Sequence, residues 1–325
     1  MYVLGIDGGG TKTTGIIATS KGEVVAKATV GGTNINSTGK IAVQSELQKL
    51  IRELKELAPQ NFLLVKRVFA GMAGAGNITN QDALKAILQP LFSSEVSITI
   101  DHDAITALYS GTIGKPGIVQ IAGTGAITYG VNEASDRARV GGWGHLFGDQ
   151  GSGYAIGRDA LEAAFKARDG LMEQTLLSDL LIQHFNKEEL PDIIPVIYQA
   201  DNPKKLISSL TVLVMKAVER NDLLAKHIID HNGAELGMAI SALVKQLFSQ
   251  RNVVIRVVLV GGLFNRYDIL KESIERTIKN EGIHVDIIFP KILPAGGAVV
   301  AALLEENIEI DEYFLETFNR TNYDN

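Results

Sequence analysis

Short apolar runs alternate with glycine turns near the start of the chain. They cover residues 2–7, 13–19 and 23–29, and three consecutive glycines follow the first run. Short runs separated by a glycine turn are typical of hairpin strands. We therefore expect a three-stranded meander here, and not a strand–turn–helix unit.

Apolar residues then recur at helical spacing over residues 40–57, which predicts an amphipathic helix. The remaining expected elements of the first half are strands at residues 63–70 and 96–100 and helices at residues 82–91 and 104–110. A similar order restarts with strands at 118–121 and 126–131, then helices within 153–249, strands at 253–260 and 285–289, a helix at 294–304 and a helical tail from 310. The repeated strand–glycine turn–strand start predicts a duplicated α/β architecture.

The length of 325 residues indicates two domains, since a single compact core usually holds fewer. We place the first domain at residues 1–114, with a C-terminal helix from about residue 307 to 325 returning to it. The second domain is expected to span residues 115–306.

Composition excludes several functional classes. The net charge of −6 comes without a basic block, so no nucleic-acid partner is expected. There is no cysteine, which excludes disulfides, thiolate zinc sites and iron–sulfur clusters. Asp7 interrupts the first apolar run, and no run is long enough to span a membrane. A cytoplasmic enzyme without a membrane partner fits these features best.

The first candidate site is the segment from Gly5 to Thr13, with Gly8, Gly9 and Gly10 at its centre. Glycines let backbone approach a ligand, and consecutive amides can point at phosphate oxygens. Thr11 would add a hydroxyl donor, and Asp7 would hold Mg²⁺ directly or through water. A plain hairpin turn without a ligand is equally compatible with this segment alone.

Asp101 and Asp103 stand where a predicted strand ends and a helix begins. Aspartate is a common helix N-cap, which explains one of them. A helix cap needs only one carboxylate. The second would be suited to act as a base that accepts a proton from an attacking hydroxyl.

Glycine is densest between Gly141 and Gly153, a segment that also holds the only tryptophan, Trp143. The glycines would bring backbone close to a polar ligand, with Asp149 accepting hydrogen bonds from hydroxyl groups. A lone tryptophan more often anchors a core. Asn34, in the polar loop at residues 31–36, would suit an acetamido or hydroxyl group, although an Asx turn or helix cap is the more common role.

Two further glycine turns complete the set. Gly123-Thr124-Gly125 lies between two predicted strands, and a pair of such turns would clamp a triphosphate from both sides. Gly261-Gly262 follows a predicted buried strand, where it would accept an adenine face or form a tight strand-to-helix turn.

Together these motifs resemble the actin/hexokinase/Hsp70 superfamily and, within it, the N-acetylglucosamine kinase branch of the BadF/BadG/BcrA/BcrD family. The resemblance runs from Gly5 to about Leu304, and it is carried by the order of the segments at residues 7–11, 103–104, 123–125 and 141–153. It implies two ribonuclease-H-like, actin-like ATPase domains with ATP and sugar in the cleft between them. It also implies phosphorylation of the 6-hydroxyl of an amino sugar, with Mg²⁺, by a homodimer.

By this resemblance Asp103 is the catalytic base and Asp7 serves the Mg²⁺ site. The implied ATP-binding residues are Gly8, Gly9, Gly10, Thr11, Lys12, Thr124, Gly125, Gly261, Gly262 and Asn265. The implied sugar-binding residues are Asn34, Asp103, Gly142, Trp143, Gly144 and Asp149.

The chain departs from the family at Ala126 and Ile127, which are apolar where the mammalian sugar kinases of this branch are polar. An enlarged, less polar pocket would change the substituents that fit and would admit a lactyl ether, as in N-acetylmuramic acid. N-acetylglucosamine, N-acetylmuramic acid, glucosamine and glucose all carry a primary 6-hydroxyl, so the sequence leaves the substrate open among them. The absence of cysteine argues against the iron–sulfur activators of the family and against the zinc-containing ROK kinases. A regulatory actin-like ATPase is the remaining rival.

Overall fold

The computed structural model describes residues 1–248 and 254–324. They form two compact units, of which the first comprises Met1–Gly117 and Ile288–Asn325 and the second Ile118–Ile287. No helix among the described residues is long and apolar enough to cross a membrane.

Every strand and helix predicted from the sequence is present in its predicted order. The strands are β1 (Tyr2–Gly8), β2 (Lys12–Thr19), β3 (Val24–Gly31), β4 (Val65–Met72), β5 (Ser97–His102), β6 (Gly117–Ala122), β7 (Ala126–Val131), β8 (Arg137–Gly141), β9 (Ile255–Val260) and β10 (Val285–Ile288). The α-helices are α1 (Ile35–Thr38), α2 (Lys40–Leu57), α3 (Pro59–Leu63), α4 (Ile78–Leu88), α5 (Asp103–Thr112), α6 (Gly153–Arg168), α7 (Leu176–Phe185), α8 (Ile193–Tyr198), α9 (Pro203–Ser209), α10 (Thr211–Glu219), α11 (Leu223–Leu247), α12 (Tyr267–Asn280), α13 (Pro294–Leu304) and α14 (Glu312–Asp324).

The first unit contains a mixed sheet with the strand order β3-β2-β1-β4-β5. The expected meander is present, since β1 pairs antiparallel with β2 and β2 with β3. β4 and β5 continue the sheet in parallel. The amphipathic helix α2 has the bounds predicted from its periodicity, and it buries Leu47, Leu50 and Leu54 in the same core as Leu4 and Ile6.

The sheet of the second unit repeats this topology in its described residues. Its order is β10-β9-β6-β7-β8, so β6 takes the place of β1 and β9 that of β4. β7 and β8 are antiparallel, while β6 and β9 are parallel. The duplicated α/β architecture is therefore confirmed, although β8 was not expected as a strand. The expected strand at 253–260 begins at Ile255 in the structure, and residues 249–253 lie outside the described part.

The chain returns to the first unit earlier than expected. The sequence-based boundary lies at about residue 307, but α13 packs within the first unit, which resumes at Ile288. Glycine makes this packing possible. A β-carbon at Gly5 of β1 would overlap the backbone of α13, and one at Gly297 of α13 would overlap the carbonyl oxygen of Thr106 in α5.

Candidate active site

The turn between β1 and β2 is held by backbone hydrogen bonds from both sides. The amide of Thr33 donates to the carbonyl of Gly9 at 2.9 Å, and the amide of Ala73 donates to the carbonyl of Gly8 at 2.7 Å. A β-carbon at Gly8 would meet the side chains of Met72 and Thr33, whereas one at Gly10 would meet nothing within 4 Å. Close packing therefore requires Gly8, while Gly10 borders open space that a ligand can use.

Asp7 stands at the end of β1, and its Oδ1 accepts a hydrogen bond of 2.6 Å from the hydroxyl of Thr106. The pKa of Asp7 is raised to about 7. Loss of hydration is the main cause and the nearby Asp103 carboxylate adds to it, against the lowering effects of the Thr106 hydrogen bond and of Lys12. A cation would relieve this unfavourable charge, so Asp7 suits a Mg²⁺ site. Among the residues that the structure describes, no three or more histidine, aspartate or glutamate side chains are grouped so that they could hold a metal ion. One carboxylate with water and phosphate ligands is a usual Mg²⁺ arrangement.

Asp103 is the first residue of α5, and about a quarter of its side chain is exposed (28 %). The N-cap is His102, whose Nδ1 accepts from the amide of Ala104 at 3.0 Å. Asp101 is buried, and its Oδ1 accepts from the amide of His102 at 2.7 Å. Neither aspartate is therefore the helix cap, which corrects the explanation suggested by the sequence.

Two neighbours of Asp103 were missed in the sequence. Nδ1 of His102 lies 2.8 Å from Oδ1 of Asp103. The hydroxyl of Thr106 lies within hydrogen-bonding distance of both the Asp103 carbonyl, at 2.7 Å, and the Asp7 carboxylate. Thr106 could have been noticed, because a residue three positions after Asp103 faces the same side of a helix.

Asn34 serves as the N-cap of α1, since its Oδ1 accepts from the amide of Asn36 at 3.0 Å. The common capping role expected for this residue is therefore present. Its oxygen already accepts this one hydrogen bond, and its amide nitrogen could donate to a ligand. Asn80 supports the same loop by donating to Oδ1 of Asn36 and to the carbonyl of Gly74.

The second glycine turn connects β6 and β7 in the second unit. The amide of Gly123 donates to the carbonyl of Gly125 at 2.9 Å, and the amide of Gly153 donates to the carbonyl of Gly123 at 2.8 Å. A β-carbon at Gly125 would lie 3.0 Å from the Asp149 carboxylate, but one at Gly123 would meet nothing within 4 Å. Thr124 is exposed at the tip of the turn.

The loop at residues 141–153 needs its glycines for conformation. Gly141, Gly142, Gly144 and Gly151 all have positive φ angles, a region that residues with a β-carbon rarely adopt. Trp143 is 63 % exposed, so the core role that is more common for a lone tryptophan is wrong here. The guanidinium of Arg139 lies 3.7 Å from the centroid of the Trp143 ring, which is a cation–π contact.

Asp149 is buried and adopts a left-handed conformation (φ 61°) that is costly for a residue other than glycine. Lys204 of α9 donates to its Oδ2 at 2.9 Å. The carboxylate thus lies between the 141–153 loop, the Gly123–Gly125 turn and α9. Lys204 was missed because nothing in its local sequence relates it to a residue so far away in the chain.

Removing the Lys204 charge is expected to destabilise the second unit. Lys204→Met would leave the buried Asp149 carboxylate without a cation, which we expect to cost about 2 kcal/mol of unfolding free energy, less than for a fully buried pair because the lysine is partly exposed. Urea unfolding measures this loss. Lys205→Met, which changes an exposed neighbour in the same helix, serves as the control. A Lys204→Met/Asp149→Asn double variant should recover much of the lost unfolding free energy. Equal stability of Lys204→Met and Lys205→Met would contradict the prediction.

The third glycine turn follows β9. Gly261 has a φ angle of 116°, and a β-carbon there would overlap the carbonyl of Ala122 at the end of β6. Gly262 and Asn265 are exposed, and a β-carbon at Gly262 would meet nothing within 4 Å. Gly261 is therefore required by the strand-to-helix turn, while Gly262 and Asn265 are accessible to a ligand.

The predicted residues thus assemble within each unit. In the first unit, Asp7, the turn at residues 8–12 and Asp103 lie together, joined through Thr106. In the second, the turn at residues 123–125 is joined to Asp149 and to the start of α6.

Known proteins match this chain over nearly its whole length. The BadF/BadG/BcrA/BcrD ATPase family matches residues 4–304. An N-acetylmuramic acid/N-acetylglucosamine kinase from Clostridium acetobutylicum is 35% identical over 94% of this chain and 99% of its own length. An N-acetyl-D-glucosamine kinase from Dictyostelium discoideum is 30% identical over 92% of this chain and 97% of its own.

The fold is also similar to a solved structure from Chromobacterium violaceum, a candidate N-acetylglucosamine kinase, with a TM-score of 0.71 and 22% identity. The alignment covers 93% of this chain and 98% of that one. The family resemblance inferred from the glycine turns and Asp103 is confirmed, and the chain belongs to the BadF/BadG/BcrA/BcrD ATPase family.

Proposed function

We propose that this protein is an ATP-dependent kinase that phosphorylates the 6-hydroxyl of an amino sugar, with N-acetylglucosamine as the first substrate to test. The observation that carries the proposal is the position of Asp103. Its carboxylate is partly exposed at the start of α5, it is not used as a helix cap, and it lies near Asp7 and the β1–β2 turn. The relatives that match the chain over most of its length are named as kinases of such sugars.

Asp103 would accept the proton of the attacking hydroxyl and orient that oxygen. Phosphoryl transfer needs little covalent chemistry from a protein, so positioning and neutralisation of charge supply most of the rate. Asn34 would contribute its amide nitrogen to the sugar, and Asp149 would accept hydrogen bonds from sugar hydroxyls beside the exposed Trp143.

ATP would be bound by the backbone amides of the two glycine turns. Gly10 and Gly123 border open space. The amides of Gly9 and Gly123 donate within their turns, so the amides of Gly10, Thr11 and Thr124 would be the ones that meet phosphate oxygens. Asp7 would hold Mg²⁺, which neutralises phosphate charge when bound. Thr11, Lys12, Thr124 and Gly125 would contact the phosphates, and Gly261, Gly262 and Asn265 the adenosine.

The proposal does not choose between N-acetylglucosamine and N-acetylmuramic acid as the substrate, and glucosamine and glucose are the alternatives. A homodimer and a cytoplasmic location stay predictions as well. The rival outside sugar kinases is a regulatory ATPase, which would hydrolyse ATP without responding to sugar.

The proposal is tested by ADP release, coupled to NADH oxidation, with ATP, Mg²⁺ and each of the four sugars. An increase in turnover by orders of magnitude with an N-acetylated sugar is the expected result, and mass spectrometry of the product locates the phosphate on O6. Equal ADP release with and without every sugar would remove the kinase assignment and favour the regulatory ATPase.

Adding a side chain at Gly123 is expected to weaken ATP binding without affecting the fold. The β-carbon of Gly123→Ala meets no protein atom within 4 Å, so the unfolding free energy should change by less than about 0.5 kcal/mol. The same carbon would occupy space proposed for a phosphate, and we expect the KM for ATP to rise about tenfold, or 1.4 kcal/mol. Gly76→Ala, exposed and outside the proposed ATP site, is the control. An unchanged KM would place the phosphates elsewhere.

A further inference from the structure

We infer that a cavity in the second unit receives the acyl group on the nitrogen of the amino sugar, and that it accepts aliphatic acyl chains longer than acetyl. This inference rests on the proposed function. The cavity has a volume of about 340 Å³ and lies between β7, β8 and α11. Its apolar lining includes Ile127, Val140, Trp143, Met238, Ala239 and Ala242.

The cavity adjoins the loop proposed to bind the sugar. Trp143 and Gln150 belong to that loop and also line the cavity. Gly142 packs directly on the cavity wall, because a β-carbon there would lie 2.8 Å from Cδ1 of Ile127. A sugar held by Gly142, Trp143 and Gly144 would therefore lie beside this space, and the inference places its acyl substituent there.

Polar groups in the lining do not require a polar ligand. Gln120 and Thr128 are both fully buried, and the Thr128 hydroxyl donates to Oε1 of Gln120 at 2.5 Å. Nε2 of Gln120 donates to the carbonyls of Ile121 and Ile127 at 3.2 and 3.3 Å. Because these groups satisfy one another, an aliphatic chain beside them leaves no buried hydrogen-bonding group unpaired.

Charge favours a neutral substituent over an acidic one. Among the described residues that line the cavity, Glu235 is the charged one, and no lysine, arginine or histidine is among them. A carboxylate such as that of a lactyl ether would be placed near this like charge, while the nearby Arg139 guanidinium is stacked on the Trp143 ring and is not part of the lining. An uncharged acyl chain meets no such penalty.

Size indicates that acetyl alone leaves the cavity largely empty. One water molecule takes about 30 Å³ of liquid volume, and an acetyl methyl is of comparable size. Each further methylene group buried against apolar walls contributes enough free energy for about a three- to fourfold gain in affinity. We therefore expect kcat/KM to rise from N-acetyl- through N-propanoyl- to N-butanoylglucosamine, mainly through a lower KM.

The test measures kcat/KM for this acyl series, extended to N-hexanoylglucosamine, in the wild type and in Ala239→Leu. Filling the cavity should lower kcat/KM for the butanoyl sugar at least tenfold relative to the acetyl sugar. Ala242→Leu provides a second filling variant if the first folds poorly. Ala234→Leu, the same change on the same helix but outside the lining, should preserve the wild-type preference.

Trp143 gives a second readout that does not depend on turnover. It is the only tryptophan, so its fluorescence reports directly on binding at the mouth of the cavity. We expect the dissociation constants measured by this fluorescence to be lower for the longer acyl sugars, and we expect this difference to be lost in Ala239→Leu.

Several outcomes would overturn the inference while leaving the proposed kinase intact. One is phosphorylation of N-acetylglucosamine with a steady fall in kcat/KM as the chain lengthens. Another is a selective loss of N-acetylmuramic acid activity in Ala239→Leu, which would make the lactyl ether the occupant. If no sugar stimulates ADP release or alters the fluorescence, the proposed function and this inference fail together.

Discussion

Replacing Asp103 by asparagine is expected to lower kcat by about a hundredfold to ten-thousandfold, with little change in the KM for sugar or ATP. The amide keeps the shape of the side chain but cannot accept the proton of the attacking hydroxyl. Because Asp103 is partly exposed and does not cap α5, the fold should tolerate the change. Steady-state kinetics with saturating ATP and sugar measure the effect.

Asp101→Asn is the matched control for this prediction. Asp101 is a neighbouring carboxylate, but it is buried, and its Oδ1 accepts from the amide of His102, a role that an asparagine oxygen can keep. We expect a far smaller loss of kcat in this variant. A normal kcat in Asp103→Asn, or an equal loss in both variants, would mean that Asp103 is not the base.

The second large effect is expected at Gly297, where Gly297→Ala should destabilise the first unit by about 2–3 kcal/mol. The added β-carbon would overlap the Thr106 carbonyl and lie 2.8 Å from the amide of Ser110, both of which are backbone atoms that cannot rotate away. Alanine is the better helix former by about 1 kcal/mol, so the overlap has to outweigh this gain. Urea unfolding measures the difference.

Gly262→Ala is the control for the stability measurement, because its β-carbon meets no atom within 4 Å. Activity should fall in Gly297→Ala as well, since the Thr106 hydroxyl lies within hydrogen-bonding distance of the Asp7 carboxylate and of the Asp103 carbonyl. A variant that is more stable than the wild type would show that α5 and α13 can separate at no cost.

The predictions made from local pattern were mostly confirmed in the structure, and the reason is physical. Glycine turns between apolar runs specify hairpins, and the helical spacing of residues 40–57 specifies α2, because each depends on residues close together in the chain. Asp103 at a strand-to-helix junction could be found in the same way. Its neighbour His102 as the helix cap could not, since histidine is an unusual choice for that position.

The sequence alone therefore determined the order of elements, the duplicated α/β architecture, the family and the set of candidate residues. Tertiary structure decided the rest. The pairing of Lys204 with Asp149, the packing of Gly297 on Thr106 and the cavity beside Ile127 all join residues that are distant in the chain. Such contacts follow from the packing of whole helices and sheets against one another, and no local pattern of residues encodes them.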